Sequence, residues 1–335
     1  MPEKTCLIII DALRYDHYHL LENILELGWV EQDNHFANAP MTEPSLFSIL
    51  TGKYPQEHGV VAQAMQISGR FEKIRNSFAM SPMLALNNFI QSMQCGKWIE
   101  HLPKVEKIRN YDFVLLHLMD VHDYIYDDYA ENARKKLQSH GVKIKDSNPG
   151  MKNQYLSKEE WHELYASTVA KLDELLFPYI EELWDKFRII ITADHGEHIK
   201  ERIGGHAKLR LETLHVPLLM NFGEKVKGIT EHVDLLKGLK SKDVSFAGTR
   251  HWAKQESVTN GRHLVVKDYD RGYGYFVDDS TCEPDEIHKF LQKRLDEFSK
   301  SFEVNHVAIG RPWVERLKRD SDVAMLKKWL EGWSI

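Results

Sequence analysis

A chain of 335 residues with 44 basic and 50 acidic side chains carries a formal charge of −6 at neutral pH, which gives nucleic acid no electrostatic reason to bind. Apolar residues make up 42% and charged residues 28%, the balance of a globular chain with a large core and not of a disordered one. No run approaches the roughly 18–20 apolar residues of a membrane span, the apolar stretch from residue 6 meets Asp11 too early for a secretory h-region, and Cys6, Cys95 and Cys282 have the spacing of neither a disulfide framework nor a cysteine zinc site, so a cytoplasmic location is expected.

The β-branched run 5–10 reads as a strand buried on both faces of a parallel sheet, with Asp11 at its carboxyl end. Residues 17–27, the stretch from Pro44 to Leu50, and 83–93 have helical spacing. The run 113–118 predicts a second strand ending near Asp120. Residues 127–158, charged and containing Asn148-Pro149-Gly150, keep no period and read either as a lid over the strand ends or as a solvated connection. Trp161, Leu164, Tyr165, Val169, Leu172, Leu175 and Leu176 predict a helix over 159–184. Further strands are expected at 188–193, ending at Asp194, and at 216–222. Runs at 263–266 and 273–277 predict short antiparallel strands, followed by helices at 284–299 and 312–333.

Strands alternating with helices predict an α/β fold, a mostly parallel central sheet flanked by helices over 1–240, with a small C-terminal α+β subdomain over 241–335 packed on it. Ligands of such sheets bind beyond the carboxyl ends of the strands, so three acidic strand ends should converge on one edge.

Two segments carry chemistry-bearing residues. Thr42 precedes a proline-started helix, where the positive end of the helix favours a lowered hydroxyl pKa and an anionic substrate; a plain capping role for Thr42 or Glu43 is the competing reading. Asp194-His195-Gly196-Glu197-His198 places carboxylates and imidazoles at a strand end, a donor set suited to a divalent cation such as zinc or manganese. The 18 histidines are many for this length.

Asp11 after a buried strand, Thr42-Glu-Pro-Ser45, then Leu50-Thr51-Gly52-Lys-Tyr-Pro55-Gln-Glu-His58-Gly59, and Thr192-Ala-Asp194-His195-Gly196-Glu197 together resemble the sulfatase branch of the alkaline phosphatase superfamily, in order and spacing over roughly residues 5–235. Tyr165, Val169, Leu172 and Asp173 are similar to that family's Tyr-x-x-x-Val-x-x-Leu-Asp helix, and Gly205-His206-Ala-Lys208, Val216-Pro217-Leu and His232-Val-Asp234 to the elements that follow. The resemblance implies metal ligation by Asp11, Asp194 and His195, with Thr42 bound to the same ion as the attacking nucleophile. It also implies substrate contacts from Lys208 and, through Gly96-Lys97-Trp98, from Lys97. Asp120, His122 and His206 would either bind a second cation, or His122 and His206 would orient the substrate and protonate the leaving oxygen.

This sequence departs from the family pattern in three places. Sulfatases carry a cysteine or serine converted to formylglycine within Cys-x-Pro-Ser-Arg; this chain has Thr42-Glu-Pro-Ser45-Leu46, and threonine cannot become that aldehyde. Leu46 replaces the arginine, and Ala12 stands where many sulfatases have a second aspartate. The expectation is therefore a metal-dependent hydrolase of a small anionic phosphate mono- or diester or phosphonate ester, like branches with a threonine nucleophile such as nucleotide pyrophosphatases and phosphoethanolamine transferases. Activity requires one divalent ion, zinc or manganese ahead of calcium or magnesium. The alternatives are a sulfuric ester hydrolase or phosphotransferase on the same site, and a non-catalytic binding protein.

Overall fold

The run Thr5–Ile10 has no polar side chain between Cys6 and Ile10, so it can only be a strand covered on both faces, and it lies at the middle of a seven-stranded sheet. The computed structural model describes residues 4–62, 74–81, 90–94, 99–123, 157–198, 205–250 and 254–302, with positions 135 and 139. The strands run in the spatial order Val30–Glu31, Leu218–Met220, Arg188–Thr192, Thr5–Ile10, Phe113–Leu118, Ile74–Met80, Ile90–Gln94. The last five are parallel; Leu218–Met220 joins them antiparallel at one edge, and Val30–Glu31 pairs antiparallel with it in turn.

Alternation along the central strand divides the core in two. Cys6, Ile8 and Ile10 pack with Trp161, Leu164, Tyr165, Val169 and Leu172 of the helix Lys158–Leu183 on one face. Leu7 and Ile9 pack with Leu46, Phe47 and Ile49 of the helix Thr42–Thr51 on the other. All five of these strand residues are fully buried, and each is worth about 1.5–3 kcal/mol of apolar transfer. The long helix also fixes the segment after the central strand: the Asp173 carboxylate accepts from the backbone N–H groups of Asn23 and Ile24, both at 2.9 Å.

Beyond residue 244 the chain forms a five-stranded antiparallel sheet, Ser245–Thr249, Gln255–Thr259, His263–Asp268, Gly272–Val277 and Ser280–Thr281. The helix Glu286–Ser301 lays Leu291 and Leu295 on Val258 and Val265 of that sheet.

Four expectations are corrected. Residues 90–94 are an edge strand parallel to Ile74–Met80, not the end of a helix over 83–93. The stretch 17–27 is not one helix: a 3-10 turn Tyr15–Leu20 stops at Leu21, and the Asp173 carboxylate starts a new short helix, Glu22–Leu25. The expected strand 216–222 is split at Pro217, which has no N–H for the ladder; Val216 pairs with His35 in a small second sheet, and Leu218 pairs with Thr192 in the large one. Thr42 is the first residue of its helix and not the residue before it, with Met41 as N-cap and Pro44 third, where a missing N–H costs nothing. The helix expected at 312–333, residues 82–89 and nearly all of the segment 127–158 lie outside the described residues.

Three buried or half-buried histidines tie stability to pH. Burial pushes the imidazoles of His58 and His232 down to about 3 and that of His35 well below its ordinary value. In the unfolded chain these groups take protons near pH ~6.5. As pH falls below that value the unfolded state binds protons that the folded state refuses, so stability is lost at about 1.4 kcal/mol per pH unit per histidine until the folded-state values are passed. The urea midpoint is therefore expected to be clearly lower at pH ~5 than at pH ~7.5, and equal midpoints would contradict neutral burial of these rings.

Candidate metal centre and nucleophile

Parallel pairing of Arg188–Thr192 with Thr5–Ile10 brings the residues that follow each strand, Asp194 and Asp11, to the same edge. The turn after the central strand is tight enough to put Ala12 at φ 63°, a left-handed conformation costing a residue with a Cβ about 1–2 kcal/mol. That turn aims the Ala12 N–H at Asp194 Oδ1, 3.1 Å away, and the His195 N–H donates to the same oxygen at 2.9 Å. On Asp11, Oδ2 accepts from His117 Nε2 at 2.9 Å. On His195, Nδ1–H donates to the Gly196 carbonyl at 2.9 Å, which leaves the lone pair on Nε2.

Each of the three residues thus has one atom bonded inside the protein and another turned toward the cluster. Asp11 Oδ1 and Asp194 Oδ2 are buried without a hydrogen-bond partner, and both residues, like His195, are fully buried. Their ligand atoms lie within 4.8 Å of one another. Two ionised carboxylates cannot be held that close in a dry interior without positive charge, and two oxygens plus an imidazole nitrogen are the donor set of a divalent cation. Burial raises the Asp11 carboxyl, but the charge of His122 and then the hydrogen bond from His117 outweigh it and hold Asp11 well below the carboxylate range. Burial lowers His195 more than the charge of Asp194 raises it, which favours the neutral ligand form.

Thr42 Oγ1 is 3.3 Å from Asp11 Oδ2 and 3.3 Å from His195 Nε2. It does not cap its helix: the N-cap is Met41, which has no side-chain cap bond, so the hydroxyl is free to face the cluster at the positive end of the helix. Ser45 fixes that end, donating to the Asp194 carbonyl at 2.5 Å and accepting from His232 Nδ1 at 2.9 Å. His58 secures the middle of the helix through Ser48 Oγ, 3.2 Å from its Nε2.

His206 and His122 follow outward from the cluster. The His206 ring is 4.2 Å from that of His195, centroid to centroid, and 5.3 Å from that of His122. Burial pulls the His122 imidazole down, but the Asp11 charge and the hydrogen bond to Asp123 outweigh it and push it up to about 9. Glu197, buried, has an oxygen 3.8 Å from His206 Nδ1; its burial is outweighed by His206, and its carboxyl is held down. Asp120 does not join them as a ligand: its two oxygens accept from the Ile99 N–H at 3.1 and 3.2 Å, and it is not part of the ligand cluster formed among the described residues. Lys208 has an exposed side chain, and Lys97 lies outside the described residues.

Several further residues hold this arrangement. Arg14, fully buried, binds Asp16 through two nitrogens and Glu212 at 2.7 Å, and donates to the Glu197 carbonyl at 2.5 Å, tying the turn after the central strand to the loop after Asp194. His198 completes this group on the other oxygen of Glu212 at 2.9 Å; the burial of Glu212 is outweighed by His198 and Arg14, and its carboxyl sits at about 2. Tyr165 clamps the same turn, donating to the Ala12 carbonyl at 2.7 Å and accepting from the Arg14 N–H at 2.8 Å. His117, Ser45 and His232 complete the set. The available signal was a polar side chain placed inside or directly against an apolar run, as His117 is in Phe113–Leu118.

The protein family described as Sulfatase matches residues 97–240. The bis(5'-adenosyl)-triphosphatase ENPP4 of Homo sapiens is 24% identical over 226 residues, and that of Pongo abelii 22% identical over 219. In both cases 58% of this chain and 48% of the relative are covered, so the chain spans about half the length of the curated relatives it matches. Among solved structures, the phosphonate monoester hydrolase of Agrobacterium radiobacter aligns with a TM-score of 0.65 and 14% identity over 91% of this chain and 96% of its own. The structure of BT4656 in complex with D-glucosamine-2-N,6-O-disulfate aligns with a TM-score of 0.61 and 11% identity over 91% and 99%. At such identities the likeness is one of fold. The family match covers fewer than half of the residues of this chain, and the fold is the one shared by these solved structures.

Gly196 allows the Asp194-His195 turn to close: its N–H donates to the Thr213 carbonyl at 2.9 Å, and a Cβ built there would lie 2.1 Å from the Glu212 carbonyl oxygen. Because that obstacle is backbone, Gly196→Ala is expected to lower stability by about 3 kcal/mol or more and to weaken divalent-ion binding. A thermal melt and an ion titration close to wild type would contradict this account of the turn.

Proposed function

We propose that this protein is a metal-dependent ester hydrolase that uses Thr42 as nucleophile on a phosphoric or phosphonic ester. The observation that carries the reading is Thr42 Oγ1 lying 3.3 Å from two atoms of a buried Asp-Asp-His cluster whose outer carboxylate oxygens have no protein partner. Support for phosphorus over sulfur comes from the threonine, which cannot become the aldehyde that sulfatases use. The names of two similar proteins, a triphosphatase and a phosphonate monoester hydrolase, point the same way.

Asp11, Asp194 and His195 would hold the ion through Oδ1, Oδ2 and Nε2. A divalent cation held there supplies Lewis-acid charge that lowers the pKa of a neighbouring hydroxyl and screens the nonbridging oxygens of the ester. Asp11 Oδ2, 3.3 Å away, is the acceptor already placed for the Thr42 proton. The Thr42 Oγ1–phosphorus bond forms as the ester oxygen leaves with its electron pair. His122, or His206 beside it, is placed to give that oxygen its proton. Water then cleaves the phosphothreonine, releasing the acid and restoring the hydroxyl.

Thr42→Ala is expected to bind manganese or zinc within about threefold of wild type while losing more than about 10³-fold in turnover. Bis-p-nitrophenyl phosphate, p-nitrophenyl phosphate and p-nitrophenyl sulfate distinguish the substrates. Hydrolysis of sulfate in preference to both phosphates would replace the phosphoric reading by a sulfuric one. Metal binding without turnover of any of the three would favour a binding protein. Near-normal turnover by Thr42→Ala would remove the nucleophile assignment.

A further inference from the structure

His117 occupies a core position. Side chains of Phe113–Leu118 alternate, and Phe113 and Leu115, which share its face, pack with Leu7, Ile9 and Leu46 beneath the Thr42 helix. An imidazole there is fully buried, and burial of its polar atoms is costly unless both nitrogens are bonded. Both are. Asp11 Oδ2 is a carboxylate oxygen and can only accept, so His117 Nε2 carries the ring proton and donates it at 2.9 Å; Nδ1 is then the acceptor for the Ser81 hydroxyl, also at 2.9 Å. Ser81 immediately follows the neighbouring strand Ile74–Met80, so the relay Ser81–His117–Asp11 crosses three adjacent parallel strands just where they end.

We infer that His117 is a positioning residue for the metal centre. By occupying Asp11 Oδ2 it sets the rotation of the carboxylate, so that Oδ1 is the oxygen left for the ion, and Ser81 holds the ring in the tautomer that does this. The inference rests on Asp11 being a metal ligand and needs no assumption about the ester that is cleaved.

The test is calorimetric titration of manganese and zinc into chelator-stripped full-length protein, with thermal melts of the ion-free forms alongside. His117→Leu is expected to weaken binding by about 10–100-fold. His117→Gln, whose amide N–H can reach Asp11 as Nε2–H does, should recover most of that loss. Ser81→Ala keeps the imidazole and core volume, folds where His117→Leu does not, and should weaken binding by at least about threefold. A merely structural role would lower the melting temperature of the ion-free protein in all three and leave the affinities at the wild-type value, which overturns the inference. Wild-type affinity in Ser81→Ala and in any His117 variant that folds does the same. Wild-type protein that takes up neither ion overturns the metal reading, and this inference with it.

Discussion

Two carboxylates, Asp11 and Asp194, are buried side by side at the ends of adjacent parallel strands, and much of the structure around them serves to make that arrangement tolerable. With ligand atoms within 4.8 Å and an effective dielectric of ~20, their mutual repulsion is at least about 3 kcal/mol, with desolvation of each charge in addition. The protein offsets part of this with donors from four directions: the Ala12 and His195 amides on Asp194, and His117 and the Thr42 hydroxyl on Asp11. What these donors leave open is one oxygen on each residue, facing the Nε2 of His195. The geometry of the cluster is therefore set by which lone pairs the backbone and its neighbours occupy as much as by the ligands themselves.

A second buried charge group keeps the two strand ends in register. Arg14 spans from Asp16 to Glu212 and to the Glu197 carbonyl, so the turn carrying Ala12 and the loop following His195 are parts of one hydrogen-bonded body. A buried ion pair of this kind is a poor source of net stability, because desolvation consumes most of the Coulombic gain. Its value lies in geometry: breaking it leaves a buried charge unpaired, so the chain has no inexpensive alternative in which Asp11 and Asp194 drift apart. Tyr165 adds the same restraint from the long helix, through the one hydroxyl that both accepts and donates across the turn.

Legibility in the sequence followed the physics of burial. Three strands could be read because a parallel strand covered on both faces must be apolar throughout, and the acidic residues that end them stand out against that run; Asp11, Asp194, His195 and Thr42 are brought together by the topology that follows. Residues 90–94 were misread because Phe89, Ile90 and Met93 fall at helical spacing, while an edge strand has only a short alternating pattern to show. Pro217 divided a single apolar run between two sheets, a change of partner that composition does not reveal. His117 received no role because nothing in one dimension tells that Asp11 and Ser81 will flank it. Asp120 has the right type at a strand end, and the Ile99 amide that binds its oxygens lies far from it in sequence.

The departures from the sulfatase pattern fit one another once the burial of Leu46 is considered. The family's arginine would bring a permanent charge to this edge, but here that position is a fully buried leucine packed on Leu7 and Ile9. Ala12, in place of a second aspartate, contributes only its backbone N–H, so one negative charge is absent together with the positive one. The remaining balance is two carboxylates against His117, which offers Asp11 a hydrogen bond from within the core, and His122, whose imidazole is pushed up by Asp11 and Asp123. A divalent cation would supply positive charge at this edge without an arginine. Threonine cannot form the formylglycine at the head of the helix, and the Thr42 hydroxyl lies against the cluster at 3.3 Å from Asp11 Oδ2 and from His195 Nε2.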